Sequence, residues 1–279
     1  MLRLLLFRRW YWTGFAVMKL VYSLWSVPQQ FSLDHRIILS LSHLLAKRQC
    51  ARIELVTDQA GAEMCDRMGL EFETVRLDLE GLDVNPSAWA AGKMVAYSLQ
   101  QEPFIHLDHD VFLFKALPDW ALRAPVLAQH DEELFRYSSS LTRTLPRHVP
   151  RITLPPDQWH AYNTGVFGGT DLEFIRDYAL TGLDLIRECP SFDGWAMAVY
   201  EQAWLSRHAY DKGVRVELLL KSRDSEPEVL NEEATKLGYC HLMQQKQQHS
   251  CMARVRRRLQ QENPGLYERA VLAAPAPTR

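Results

Sequence analysis

Apolar and polar residues follow two rhythms along the first half of the chain. Short apolar runs at residues 20–26, 52–57 and 73–77, and another opening at Phe104, predict strands. Between them, apolar residues recur every three or four positions. Residues 35–49 predict a helix with Ile38, Leu41, Leu44 and Leu45 on one stripe and Asp34 as its cap. Residues 61–68 predict a second helix, ended by Gly69, and residues 88–100 a third. Alternating units of this kind build an α/β fold, with a mixed, mostly parallel sheet flanked by helices. Ligands of such sheets bind beyond the carboxyl ends of the strands. Ser23, Asp58 and Asp108 fall near those ends, so the pattern gathers them along one edge.

The rhythm loosens after Pro118. Residues 124–128 predict a strand, and residues 131–157, rich in Ser, Thr, Arg and Pro, a long loop or lid. Helices are expected at 174–187, after Asp171, and at 196–209. Short strands are expected at 214–219 and 239–242. A helical pattern carrying Arg254, Arg256, Arg257 and Arg258 fills 253–272. The expected organisation is a single catalytic domain over 18–250, a basic C-terminal helix over 251–272 and a disordered tail over 273–279.

Composition narrows the class. The chain has 279 residues, 47% of them hydrophobic and 24% charged, which suits one larger α/β domain. A formal net charge of -2 argues against a nucleic-acid partner. The five cysteines form no C-x-x-C pair, so neither a zinc site nor a disulfide framework is expected, and a reducing cytoplasm is. Residues 1–17 are too short and too charged to span a bilayer, being broken by Arg8 and Arg9, and they lack a signal-peptide layout. Two readings stand for them. One is an extension ahead of a natural start at Met18. The other is an interfacial anchor, with Trp10, Tyr11 and Trp12 in weak contact with the inner membrane face.

The chemistry concentrates at Phe104-Ile-His-Leu-Asp108-His-Asp110-Val-Phe-Leu-Phe. Alternate residues of a strand point the same way, so Asp108 and Asp110 can face one site where the strand breaks. Two hard oxygen ligands there suit Mg²⁺ or Mn²⁺ carrying a diphosphate. His109 between them points away and packs. Asp58 and Lys93 are candidates for a nucleotide pocket: the carboxylate accepts from a base or ribose, and the ammonium pairs with phosphate or with Asp108. Tyr22 and Trp25 flank the first strand end, beside Ser23, and could stack on a base. Asn163, in Tyr162-Asn-Thr-Gly165, offers donors and an acceptor to sugar hydroxyls, and the glycines that follow allow close backbone approach. Trp89, Trp159, His160 and Trp195 are candidates for an acceptor site.

Taken in order, Asp58, Asp108-x-Asp110, Asn163-Thr-Gly, Glu201-Gln202 and His241 resemble the GT-A fold glycosyltransferases, over roughly residues 19–246. The likeness is to the retaining glycogenin-like and mannosyltransferase-like clade. The Asp-His-Asp-Val form followed by Leu117-Pro118 looks closest to a bacterial GT-A-like group with little assigned chemistry. The resemblance implies that His241 completes the metal site with Asp108 and Asp110. An imidazole ligand favours Mn²⁺ over Mg²⁺. It implies that Lys246 holds the diphosphate, although His241-Leu-Met-Gln-Gln-Lys246 lacks the glycine and Pro-Trp of the glycogenin-like pattern. It also implies that Glu201 and Gln202 lie beneath the anomeric carbon.

The expected function is a metal-dependent, hexosyltransferase-like enzyme. It moves a sugar from a nucleotide-sugar donor to the hydroxyl of a glycan, a lipid-linked acceptor or a small molecule, with retention. The alternative is a non-catalytic GT-A-like binding or structural protein, which the departures after His241 keep open. A nucleotidyltransferase would want a Gly-rich loop where Ser26-Val-Pro-Gln-Gln-Phe31 stands, and a haloacid-dehalogenase-type phosphatase would want its Asp-x-Asp near the start.

Overall fold

The computed structural model describes residues 18–27, 31–133, 147–155, 158, 160–189, 192, 194–223 and 225–273. The expectations for residues 1–17, for most of the 131–157 loop, for Trp159 and for the tail after 273 lie outside the described residues.

A seven-stranded sheet organises the molecule, in the order β10-β6-β9-β4-β1-β2-β3. Its strands are β1 (Lys19–Leu24), β2 (Ile53–Thr57), β3 (Thr74–Arg76), β4 (Phe104–Leu107), β6 (Leu127–Ala128), β9 (Val166–Gly169) and β10 (Glu217–Leu218). All run parallel to their neighbours except β9, which is antiparallel to β4 and β6. The mixed, mostly parallel sheet read from the sequence is therefore the observed one.

The two-residue period of the strands fills two cores. Leu20, Tyr22, Leu24, Ile53, Leu55, Ile105 and Leu107 face one side. There they pack against α1 (Leu33–Gln49), α2 (Gln59–Met68) and two C-terminal helices. Val21, Trp25, Val56, Phe104 and Phe167 face the other. There they meet α3 (Ala91–Ser98), α6 (Leu172–Arg187) and α7 (Gly194–Lys212). Burial on both faces explains why these strands read as near-continuous apolar runs. Gly168 (φ 153°) and Gly169 (φ 144°) in β9 have no side chain because a Cβ would overlap the carbonyls of Phe104 and Pro125.

Several expectations shift. The Oγ of Ser32, not Asp34, caps α1; Asp34 instead accepts from Arg256. The predicted 88–100 helix begins only at Ala91, and the predicted 124–128 strand is Leu127–Ala128. The ends of the expected 131–157 loop carry β7 (Asp131–Glu132) and, after the four-residue helix α4 (Asp119–Leu122), the short helix α5 (Val149–Ile152). An unexpected helix, α8 (Pro227–Leu237), precedes β11 (Tyr239–His241), although Pro227 in its first turn and Gly238 (φ 68°) at its end are start and stop signals. The single basic helix over 253–272 is two, α9 (His249–Glu262) and α10 (Pro264–Leu272). Pro264 cannot continue a helix, and the Asn263 side chain caps the next one by accepting from Leu266 N at 3.0 Å. Among the described residues no helix is long and apolar enough to cross a membrane.

Candidate functional site

Strand β4 stops at Leu107, and Asp108-His109-Asp110 forms a tight turn closed by Val111 N donating to Asp108 O at 3.0 Å. The turn is anchored on β9's approach by Asp108 N donating to Gly165 O at 2.9 Å. The two carboxylates therefore converge through a turn rather than through strand alternation. The chain then enters β5 (Val111–Leu113), which pairs antiparallel with β11 in the register Val111↔His241. That register carries His241 to the turn. Ligand atoms of Asp108, Asp110 and His241 all lie within 4.8 Å of one another. His109, expected to point away, packs edge-on against His35 with ring centroids 5.6 Å apart, and both border the same cavity. Burial pushes the His109 imidazole down to about 4, so it is neutral near pH 7.

The cavity measures about 820 Å³ and opens beyond the carboxyl ends of β1 and β4. Ser23, Lys93, Asn163, Gln202 and Lys246 join the acidic turn on its wall, with Glu201 at its base. Asp110 is 2% exposed. Its Oδ2 accepts from Lys246 at 2.8 Å, and its Oδ1 lies 3.2 Å from His241 Nε2. Burial would raise its pKa, but the charge and hydrogen bond of His241 and the Lys246 ammonium hold it well below the usual carboxylate range. Lys246 reaches inward from a 3₁₀ turn, Met243–Gln247, that starts with Met243 at φ 47°. Among the described residues Met243 alone combines a side chain with positive φ, a strained conformation that clusters at functional sites.

A buried ion network forms the floor. Lys93 Nζ lies 3.0 Å from Asp108 Oδ1 and 3.0 Å from Glu201 Oε1, and it donates to Thr164 Oγ1 at 3.0 Å. Burial lowers the Lys93 pKa, but Asp108 and Glu201 outweigh it and the net shift is upward. Burial raises the Asp108 pKa, Lys93 lowers it, and the net is downward. For Glu201, only 1% exposed, burial prevails over Lys93 and its pKa is raised. Glu201 also accepts from the Thr164 hydroxyl at 2.8 Å and the Tyr97 hydroxyl at 3.3 Å. It is a buried, saturated carboxylate, not a group on a solvated helix face.

The structure brings together Ser23, Lys93, Asp108, Asp110, Asn163, Glu201, Gln202, His241 and Lys246. It does not bring Tyr22 or Asp58 to the cavity. Tyr22 is 0% exposed, on the opposite face of β1, with its hydroxyl bonded to Ser42 Oγ at 2.9 Å; a ring sealed under α1 stacks on no base. Asp58 caps α2, accepting from Gly61 N at 2.9 Å and from Ser26 N at 2.8 Å, so its lone pairs serve the backbone. Trp89 lies on the cavity wall.

Three partners escaped the sequence reading. Gln129 accepts from His241 Nδ1 at 2.8 Å. Glu132 accepts from the Asn163 amide, whose Oδ1 in turn accepts from Gly165 N at 2.9 Å. Tyr97 reaches Glu201 from α3. The one available signal was the polar string Gln129-His-Asp-Glu132 at the carboxyl end of a predicted strand.

Fold and site together define an α/β protein with an Asp-Asp-His candidate metal centre at the carboxyl edge of a mostly parallel sheet. The chain belongs to the family of unknown function DUF6734, which matches residues 18–273. No curated protein matches it. Among solved structures it is similar to the bifunctional glycosyltransferase WbbM in its apo form, at 9% identity and TM-score 0.49, over 83% of this chain and 46% of that one. It is also similar to the glycosyltransferase GlyE of Streptococcus pneumoniae TIGR4, at 11% identity and TM-score 0.33, over 60% of this chain and 38% of that one. A third is the inositol-1-phosphate CTP transferase of T. maritima, at 13% identity and TM-score 0.34, over 78% of this chain and 97% of that one. The chain thus spans less than half the length of the two glycosyltransferases.

Proposed function

We propose that this protein is a metal-dependent glycosyltransferase of the GT-A kind that transfers a sugar from a nucleotide-sugar to an acceptor hydroxyl. The observation that carries the reading is the convergence of Asp108, Asp110 and His241 on a cavity that also holds Lys93, Glu201 and Lys246. Two carboxylates and an imidazole on one side of an open cavity fit a divalent cation that keeps free positions for substrate oxygens. The imidazole favours Mn²⁺. Such a cation, when bound, offsets the charge that builds on a departing diphosphate.

The remaining roles belong to the chain itself. Lys246 neutralises Asp110 and stands ready to pair with a phosphate oxygen beside it. Lys93 ties Asp108 to Glu201 and so holds the first carboxylate in place. Gln202 lines the cavity with an amide suited to sugar hydroxyls, while Asn163, bonded to Glu132 and to Gly165 N, shapes the wall beside it. Glu201 gives its oxygens to Lys93, Thr164 and Tyr97, which suits electrostatic stabilisation of positive character at the anomeric carbon better than nucleophilic attack. Retention is the outcome we assign from the likeness of Glu201-Gln202 to the acid-Gln pair of retaining GT-A members. The domain is taken to run over 18–250 with a basic C-terminal segment.

The test is a screen of nucleotide-sugars for Mn²⁺-dependent thermal stabilisation. One nucleotide class should raise Tm only when Mn²⁺ is present. If no nucleotide or nucleotide-sugar does so at millimolar concentration, a purely structural role replaces the enzymatic one.

A further inference from the structure

We infer that Gln129 is the positioning residue of the metal centre: its side-chain carbonyl holds the proton of His241 on Nδ1 and so commits Nε2 to the site. The inference rests on the metal-centre reading above and extends it to a residue outside the triad.

Gln129 is 2% exposed and follows β6 directly. Its backbone is pinned from both sides, with its N donating to Asn163 O at 2.8 Å and its O accepting from Leu220 N at 2.8 Å. The side chain is therefore delivered to one place. There Oε1 accepts from two donors, His241 Nδ1 at 2.8 Å and the Tyr239 hydroxyl. Nε2 reaches His130 Nδ1 at 3.0 Å.

The orientation follows from the partners. Tyr239 is 4% exposed and its phenol donates to the side-chain oxygen of Gln129, the same atom that lies against His241 Nδ1. A buried hydroxyl needs an acceptor, which an amide nitrogen is not, so the carbonyl end faces both residues. His130 is neutral, pushed down to about 3 by burial, and its Nδ1 accepts from the amide. With Nδ1–H committed to Gln129, Nε2 is the nitrogen that faces the site, 3.2 Å from Asp110 Oδ1. A ring nitrogen held by a carbonyl is how protein metal sites set the tautomer and the orientation of a histidine ligand.

Gly165 supplies a second, independent sign. A Cβ at that position would overlap both the His241 ring and Gln129 Oε1. The Asn-Thr-Gly segment is therefore shaped to let these two side chains meet, and Asp108 N is hydrogen-bonded to that same glycine's carbonyl.

The experiment measures Mn²⁺ affinity by calorimetry, and the His241 ring protons by ¹⁵N NMR on metal-free protein. Gln129→Leu should weaken Mn²⁺ binding by about 10–100-fold, the usual cost of losing such a partner. Gln129→Glu still accepts from His241 and Tyr239, and should recover most of that loss. Tyr239→Phe removes the other donor and should move Mn²⁺ affinity far less than Gln129→Leu does. In the wild type, His241 Nδ1 should carry a slowly exchanging proton.

Wild-type Mn²⁺ affinity in a folded Gln129→Leu protein would overturn the inference. So would a bare Nδ1 in the wild type, which also decides the matter if Gln129→Leu does not fold. Failure of the wild type to bind Mn²⁺ would instead sink the metal-centre reading, while the NMR result would still stand for or against Gln129.

Discussion

Lys93→Met removes one ammonium and strands two carboxylates. Asp108 retains 22% of its side-chain exposure, so water absorbs part of its loss. Glu201 has no such relief, and its other donors, the hydroxyls of Thr164 and Tyr97, carry no charge. Breaking a buried ion pair from one side typically costs about 3–5 kcal/mol. At roughly 2–4 °C per kcal/mol for a domain of this size, Tm should fall by roughly 6–20 °C. The sign with pH is fixed. Without Lys93, the folded-state pKa of Glu201 rises further above its unfolded value. The deficit should therefore be small near pH 4.5 and grow as pH rises toward 8, because only the folded state must keep a proton or bury a charge. Urea denaturation at pH 5 and pH 8 reads both quantities. Lys93→Met combined with Glu201→Gln removes the stranded charge and should recover stability relative to the single variant, most clearly at pH 8. A loss under about 1 kcal/mol at both pH values, with no recovery in the double variant, would refute the coupling of Lys93 to Glu201 in the cavity floor.

Asp110→Asn should abolish Mn²⁺-dependent nucleotide binding with the fold intact, and His241→Ala should weaken it less; calorimetry with and without Mn²⁺ checks both, and unchanged affinity in Asp110→Asn defeats the metal assignment. Once a donor and acceptor are found, Glu201→Gln and Gln202→Ala should each lower kcat by about 10²–10³ with little change in donor affinity; wild-type rates in both would move the reactive centre elsewhere. His106 and His130 are each held near 3 by burial and stay neutral when folded, whereas the unfolded chain protonates them below pH 6.5. Stability should thus fall as pH drops from 6.5 toward 4, by up to about 1.4 kcal/mol per pH unit for each group. A flat melting temperature across that range contradicts the burial of these rings.

Local rules made much of the frame legible in the sequence. Near-continuous apolar runs marked β1, β2 and β4, which are buried on both faces. Gly69 ended α2 where the sequence placed it, and Asp171, ahead of the helix expected over 174–187, caps α6 from Leu172 onward. The Asp-x-Asp signal fell on the turn where Asp108 and Asp110 converge with His241, and Lys93 pairs with Asp108. Short-range signals fared worse where two local roles suit one residue. An aspartate between a strand and a helix can face a ligand or cap the helix, and only the position of Gly61 N and Ser26 decides that Asp58 caps. A tyrosine in a two-faced strand can line a cleft or the core, and α1 lying over that face decides for Tyr22.

What the sequence by itself determined is which positions are apolar, which segments turn, and which residue types are available for chemistry. The tertiary structure alone decided which of them meet. Asp110 and Lys246 are 136 positions apart, and Gln129 and His241 are 112 apart. Their contact depends on the β5–β11 register and on the seating of β6 beside β9, which nothing local to Gln129 encodes. Periodicity records the burial of a residue against its own element's partner layer. A polar residue at a strand end carries no periodic mark, so its partner is set by the packing of distant strands.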